Sequence, residues 1–523
     1  MALGPAFPQV QGPELNIAVV PAPVLGIDAR APTGNMPPEN CLYTYNMMPA
    51  EYGMLLRPGY RKYAEVEGEG ANLGIFTLMA FNGVDPGHGD DRLFAVTNEG
   101  IYDVTDGDVE LKLAFADVTY DAGYGVYCQY IEQSGEDFLL YADERNGLFE
   151  YDSNTETWTQ NDSITGPVIE DVAFCMVHKQ RLWLVEENSS NAWYLPLASK
   201  NGAAEEFYFG SKFPHGGRLA GLYNWTVDGG LGIDDFLVAV SHSGDVVVYQ
   251  GEDPSSAETW SVRGTYYIGE LPEGRRFASE YSGDLYLLSS FGLISMKDLI
   301  RGVDQQNPSE SSLAFRVARP LRRAMSGENL QLLGWEPKFF PTEGNLIIMT
   351  PYEPGGDPPI QYVMNLSTEG WGLWRGVPAL SMESWHSEVF VGDQDGNIWI
   401  MDTDKDGGEL EDGSDGEPVE FSLVSATNDL GSPALFKQVQ MVRPDFYAVN
   451  LPDYDIEVLY DYNYTEIDYT KGTPGTPGPE TGYNKLSGVH GVGRKVTVAM
   501  RGSNAGETRL LSWDIMWKVG GPI

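Results

Sequence analysis

FLVAVSHSGDVVVY, from Phe236 to Tyr249, is a strand of alternating or continuous apolar residues, a Ser243-Gly244 turn and a second strand of the same kind. Such a hairpin needs positive φ at its tip, which Gly supplies without steric cost. Related stretches recur: FAVTNEGIYDV from Phe94, LLYADERNGLFEY from Leu139, LWLVEENSSNAWYL from Leu182, LYLLSSFGLISM from Leu285, LIIMTPYEPGGDPPIQYVM from Leu346 and VFVGDQDGNIWIM from Val389. Their starts lie roughly 43 to 61 residues apart, the period of four-stranded blades with variable loops. The pattern predicts an all-β protein containing a β-propeller of about seven blades, and the insertions after Phe236 and Leu346 widen the range to roughly six to eight. The turn pairs Asn146-Gly147, Ser243-Gly244 and Asp395-Gly396 set the register locally.

A propeller does not use up 523 residues, so material is expected on both sides of it. The reading divides the chain into an extended, Pro-rich N-terminal arm and docking segment (1–70), the propeller (71–405), an acidic linker (406–418) and a C-terminal β domain resembling a two-layer sandwich (419–523). The Pro/Gly loop 470–485 is long enough to suggest a contact or a flexible excursion. Helical character is expected only within 301–330, through FRVARPLRRAM. No apolar run approaches the roughly 20 residues that span a bilayer, and MALGPAFPQVQGPEL has neither the basic start nor the apolar core of a secretion signal. A soluble chain without a membrane anchor is the expectation. Cys41, Cys128 and Cys175 are odd in number and far apart in sequence, which reads as core residues in a reducing compartment.

Acidic residues outnumber basic ones 76 to 33, a formal charge of −43. General nucleic-acid binding is thereby excluded, since phosphate contacts need Lys and Arg. Two specific readings of the acidity remain beside a merely solvated surface: a host living in high salt, or a wall past which a polyanion slides without sticking. The densest run is DTDKDGGELEDGSDGEPVE, 402–420. Within it Asp402, Asp404, Asp406 and Gly407 match the start of a calcium loop, but position eight is Glu409 and position twelve is Gly413 where a bidentate Glu belongs. Calcium is the one ion the chain suggests, against an ordinary acidic linker; no other cofactor is expected.

The six histidines, His88, His178, His215, His242, His386 and His490, show no nucleophile elbow and no zinc spacing. His242 and His386 sit at or beside hairpins, where a hydrogen-bonded structural imidazole is expected. Propellers do host glycoside hydrolysis by paired carboxylates, and Asp393-Gln394-Asp395-Gly396-Asn397 superficially resembles the Asp box of sialidases, yet it lacks the Ser and its spacing is off. Arg316, Arg319 and Arg323, with Arg322, stand out on so acidic a chain. On one helix the first three would share a face, either paired internally with carboxylates or offered to the acidic surface of an identical neighbour.

The opening segment carries the most specific pattern. Gly26-Ile27-Asp28-Ala29-Arg30-Ala31-Pro32 and Met36-Pro37-Pro38 lead to Asn46-Met47-Met48-Pro49 and then to Gly53-Met54-Leu55-Leu56-Arg57-Pro58-Gly59. With Phe436-Lys437-Gln438-Val439-Gln440-Met441-Val442-Arg443-Pro444-Asp445-Phe446 and the closing Trp513-Asp514-Ile515-Met516-Trp517-Lys518, the chain resembles tail nozzle and hub proteins of short-tailed bacteriophages. The resemblance implies a non-enzymatic virion protein assembled in the host cytoplasm: a homo-oligomer, about six copies in a ring, below the tail adaptor ring and in contact with tail fibres or other tail components. DNA would leave through its bore without specific binding. Asn46, Pro49, Gly53, Arg57, Pro58 and Gly59 would dock the opening segment, and Lys437, Arg443 and Pro444 would mark the strand after the propeller. Pro58-Gly59 is expected to turn the chain into the first blade. The alternative from another class is a carbohydrate-active propeller, a glycosidase or a lectin-like receptor binder.

Overall fold

The computed structural model describes residues 15–520 apart from 31, 68–72, 86, 120, 133, 229–232, 303–310, 353–355, 411, 451, 465–486 and 490. The loop 470–485, His490 and most of the opening MALGPAFPQVQGPEL therefore lie outside the described residues. The protein is nearly all β, arranged in many small antiparallel sheets. Its chain forms two compact units: Met1–Pro58, Met364–Leu373 and Pro418–Ile523 make one, and Gly59–Val363 with Trp374–Glu417 make the other.

In the first unit the N-terminal strands from Asn16 onward are built into sheets with the C-terminal ones, so this described part of the segment expected as an extended arm is folded. Asn16–Pro21 pairs along Thr508–Val519, and the hairpin Met47–Ala50/Gly53–Leu56 joins that same strand at Leu55↔Arg509 and Met54↔Leu510. On its other side Thr508–Val519 carries Lys437–Ala448. A second set of strands runs Gly26–Ile27, Asn40–Tyr45, Glu417–Ser425, Val496–Asn504 and Asp453–Tyr460. Alternation explains the burial: Trp513, Ile515 and Trp517 point inward from the twelve-residue strand, while Asp514, Met516 and Lys518 between and beside them are only half-buried. In Lys437–Ala448 the phase slips between Val439 and Val442, where a bulge inserts one residue.

The second unit is a succession of short meanders. They comprise Thr77–Phe81 to Glu110–Ala114, Val126–Ile131 to Thr157–Gln160, Val172–His178 to Glu205–Tyr208, Leu219–Asp228 to Ser261–Tyr267 and the three-stranded Ala278–Tyr281 to Gly292–Ser295. Then come a meander opening with Glu336–Phe340 and Asn345–Met349, and a last one of Ser381–Trp385, Glu388–Gly392 and Asn397–Thr403. Gly59–Glu65 supplies the outer strand of that last sheet, antiparallel to Asn397–Thr403.

Apolar faces of successive sheets stack. Phe81, Phe94, Leu139 and Tyr141 fill one interface, Leu140, Leu148, Cys175 and Leu184 the next, and Phe174, Trp183, Leu237 and Val247 the one after. Ala64, Phe390, Ile398 and Ile400 of the last sheet pack on Leu78, Leu93 and Ala95 of the first, so the succession closes on itself. A buried side chain such as Phe390 is worth about 1.5–3 kcal/mol at such an interface. The hairpin glycines behave as the turns require: Gly147, Gly244 and Gly396 have φ of 85°, 91° and 90°. A Cβ on Gly244 would lie 1.9 Å from the Gly269 carbonyl oxygen, so close approach as well as φ demands glycine there.

Both ends of the run 402–420 lie in strands, so the expected linker 406–418 begins and ends in sheet. Asp402 ends the strand Asn397–Thr403, Asp406 lies in Lys405–Gly408 paired parallel to Gly59–Glu65, and the units change at Glu417/Pro418. Helix is confined, among the described residues, to short pieces such as Met296–Arg301 and Ala318–Ala324.

Candidate functional site

Each meander of the second unit begins with a strand that packs against the opening strands of its neighbours. Side chains from these strands surround a cavity of about 390 Å³. Thr77, Tyr127, Met176, Tyr223, Glu280, Lys338 and Met382 each come from a different opening strand and all line it.

Two adjacent arginines, on the segment leading into Ala278–Tyr281, organise the site. Arg275 is nearly fully buried and donates to the carbonyls of Leu219 and Ala220 at 3.0 Å each, to Glu187 O at 2.9 Å and to Glu144 Oε1 at 2.5 Å. Arg276 turns the other way, donating to Phe76 O and Gly125 O at 2.8 Å each and to Thr77 Oγ1, with Glu336 Oε2 at 3.5 Å. Lys338 Nζ continues the network to Met382 O at 3.0 Å and Glu383 Oε2 at 2.5 Å, and the Tyr127 hydroxyl donates to that same carboxylate oxygen. Three neighbouring cations and one phenol thus join all the meanders through bonds that satisfy buried carbonyls.

Burial governs the electrostatics here. It presses the Arg275 pKa down, opposed by Glu144, and raises that of Tyr127, reinforced by Glu383. Burial also raises the Glu280 carboxyl, against a backbone hydrogen bond from Asn224. Glu280, Arg276 and Glu336 line the same cavity, whose size takes a small ligand. Cys128 and Cys175 also line the cavity, with their sulfurs 3.7 Å apart across adjacent opening strands; chain separation concealed this proximity.

The residues singled out by the opening pattern are structural in their own unit. Asn46 takes φ 62°, receives the Arg57 N–H at its carbonyl (2.9 Å) and donates through Nδ2 to Glu420 O at 2.8 Å. Pro49 is buried in its strand opposite Met54, and Gly53 (φ 116°) leaves 2.3 Å between a would-be Cβ and Leu510 O. Arg57 is buried, with Nη1 on Pro58 O at 2.9 Å. No turn is made at Pro58-Gly59: strand Gly53–Leu56 ends, Gly59–Glu65 begins, and the chain passes from one unit to the other. Gly59 is required because its α-carbon presses on Lys405, whose carbonyl a Cβ would meet at 2.1 Å.

Lys437 is fully buried and donates to Ser432 O, Leu435 O and Arg494 O at 2.6, 3.0 and 2.7 Å; burial lowers its pKa. Arg443 pairs across the ladder with Asp514 (Nε–Oδ2 2.9 Å), and Pro444 is buried beside a bulge, where a missing N–H is tolerated. The basic stripe is split. Arg316 lies in a 3₁₀ turn, Phe315–Val317, while Arg319, Arg322 and Arg323 are exposed on Ala318–Ala324 and, among the described residues, make no ion pair. The expected internal pairing is therefore not made by these three. Asp402 gives its carboxylate to Arg61, Oδ1 accepting from Nε at 2.9 Å and Oδ2 from Nη2 at 2.6 Å, and Asp402, Asp404 and Asp406 do not converge on a point in the manner of a calcium loop.

Sequence reading missed Arg275-Arg276, although an Arg pair entering a repeat's opening strand on so acidic a chain was the available signal. His178, His215 and His242 are bonded to Asn224, Asp245 and Glu273. His88 and His386 both meet Asp91. Among the described residues no helix is long and apolar enough to cross a membrane.

No family model matches the chain, and no curated protein does. Among solved structures it is similar to the extracellular domain of a hybrid two-component system, BT3049, from B. thetaiotaomicron (TM-score 0.41, 12% identity), covering 79% of this chain and only 45% of that one. BamB from Moraxella catarrhalis gives 0.33 and 10%, over 71% of this chain and 97% of BamB. The computationally designed Ika8 gives 0.34 and 9%, over 65% and 99%. All three scores are below 0.5, so the likenesses define no family.

Proposed function

We propose that the second unit is a seven-bladed β-propeller closed by Gly59–Glu65, that the first is a two-layer β domain, and that the protein is a structural tail nozzle of a short-tailed bacteriophage. One observation carries the reading: the two stretches that resemble nozzle proteins, far apart in sequence, fold together. Met47–Ala50 and Gly53–Leu56 join Thr508–Val519, which joins Lys437–Ala448. A pattern made of Asn46, Gly53, Lys437 and Arg443 is thereby the signature of one folded body. That body exposes apolar side chains on its strands, Ile17, Val19, Met441 and Tyr447 among them, as a surface between ring neighbours would. The exposed Arg319, Arg322 and Arg323 suit contact with an acidic copy of the same chain. In this reading Arg275, Arg276 and Lys338 bridge the opening strands around the propeller's centre, and DNA passes between copies and not through a blade ring.

A second reading, a carbohydrate-active propeller, is favoured by one specific feature: the cavity carboxyl Glu280 with its pKa raised by burial. One measurement separates the two. Light scattering of the purified chain is expected to give a ring of about six copies, and Val19→Lys with Tyr447→Lys is expected to reduce it to monomer without loss of fold. A monomeric wild type that binds oligosaccharides would replace the nozzle with the second reading.

A further inference from the structure

His88, Asp91 and His386 come from two loops of the second unit that the sequence separates by almost the whole unit. His88 and Asp91 lie between Thr77–Phe81 and Arg92–Val96; His386 is at the tip of the hairpin Ser381–Trp385/Glu388–Gly392. Asp91 is buried, and its Oδ1 accepts the Gly83 N–H at 2.8 Å, which aims Oδ2 outward. On Oδ2 converge His88 Nδ1 at 2.7 Å and His386 Nε2 at 2.8 Å. One ligand atom from each residue lies within 4.8 Å of the others.

Neither imidazole arrives by chance rotation. His386 and Ser387 have φ of 49° and 67°, the left-handed pair of a tight hairpin tip, and the His386 ring stacks on Trp385 with centroids 4.0 Å apart and planes 17° from parallel. His88 is likewise left-handed, at φ 60°. Three non-glycine residues in sparsely populated backbone conformations persist where surrounding structure over-determines them, and such places are enriched in ligand clamps.

We propose that His88, Asp91 and His386 bind one divalent transition-metal ion of the zinc class, tying His88 and Asp91 to the hairpin tip. Two imidazoles and a carboxylate are the donor set of open zinc sites; calcium and magnesium want oxygen throughout. A metal at about 2.0–2.1 Å from each donor needs ligand separations of about 3.3 Å in a tetrahedron, a small spreading of the present contacts. His88 and His386 are 70% and 42% exposed at their side chains, which leaves one face for water or a further ligand. Arg92, next to Asp91 in the chain, bonds the carbonyls of Gly89 and Asp91, and Asp103 (4.0 Å) and Glu156 (3.0 Å) match its charge. A net charge of −43 raises the local concentration of cations further.

The metal-free alternative is a carboxylate that merely holds two imidazoles. Calorimetric titration of the chelator-treated full chain with ZnCl2, CoCl2 and CaCl2 at physiological ionic strength distinguishes them. One equivalent of Zn²⁺ or Co²⁺ is expected to bind, Co²⁺ with tetrahedral visible absorption, and Ca²⁺ is expected not to displace either. His88→Ala or His386→Ala is expected to weaken Zn²⁺ by on the order of a hundredfold or more. Should His386→Ala not fold, His88→Ala decides alone, since its ring is mostly in solvent. Absence of stoichiometric binding, or undiminished binding in His88→Ala, overturns the site.

Discussion

Glu273 shows how single residues work in so acidic a protein. Its Oε2 meets His242 Nε2 at 3.1 Å and its Oε1 meets the Arg218 guanidinium. The hydrogen bond from His242 holds its pKa at about 2, below the ordinary 4.5, with Arg218 adding to the effect and burial opposing it. Because the folded carboxyl titrates below the unfolded one, the ionised side chain stabilises the fold at and above about pH 4.5, and that contribution disappears as pH falls toward about 2. Glu273→Gln is therefore expected to be less stable than wild type at neutral pH, with the difference shrinking across that acid window; chemical denaturation at several pH values measures it. A difference that stays constant down to pH 2 would remove Glu273 from the account. The same residue scale was poorly legible beforehand: His242 beside a hairpin was readable as a hydrogen-bonded structural imidazole, but nothing local announced its partner 31 residues away.

At the scale of elements, hairpins were legible and their neighbours were not. Alternation and turn glycine lie within a dozen residues of each other, so Phe236–Tyr249 declares its own pairing, and Val246↔Val240 and Val248↔Val238 follow. What joins one meander to the next depends on side chains such as Arg275, whose acceptors lie 55 to 131 residues upstream. Arg275→Met leaves the Glu144 carboxylate and three carbonyls without their donor, and is expected to cost about 3–5 kcal/mol. Urea unfolding monitored by tryptophan fluorescence reads that loss. A cost under about 1 kcal/mol would mean that apolar stacking alone orders the meanders.

For the whole molecule, the decisive element is Gly59–Glu65. It is the first strand of its unit in sequence and completes the last sheet, so N- and C-terminal parts of the unit are fastened together. Lys62→Pro removes a donor from the middle of this strand, between Asn397–Thr403 on one side and Lys405–Gly408 on the other. It is expected to destabilise by about 1–3 kcal/mol, seen by calorimetry as a lower melting temperature, with Lys62→Ala as the control for the lost ion pairs to Glu65 and Glu409. A Lys62→Pro melt superposed on the control would show that closure contributes nothing.

By itself the chain's sequence determined the all-β class, the recurring hairpins and the acidity, because strand alternation, turn glycine and charge are properties of short stretches. Tertiary structure alone decided the rest. The opening segment joins strands some 460 residues later, Arg275 and Arg276 find carbonyls on several sheets, and His88 and His386 meet on Asp91 across 295 residues. A donor's side chain specifies that it needs a partner; which partner it gets depends on how the sheets stack, and stacking is a property of the folded unit.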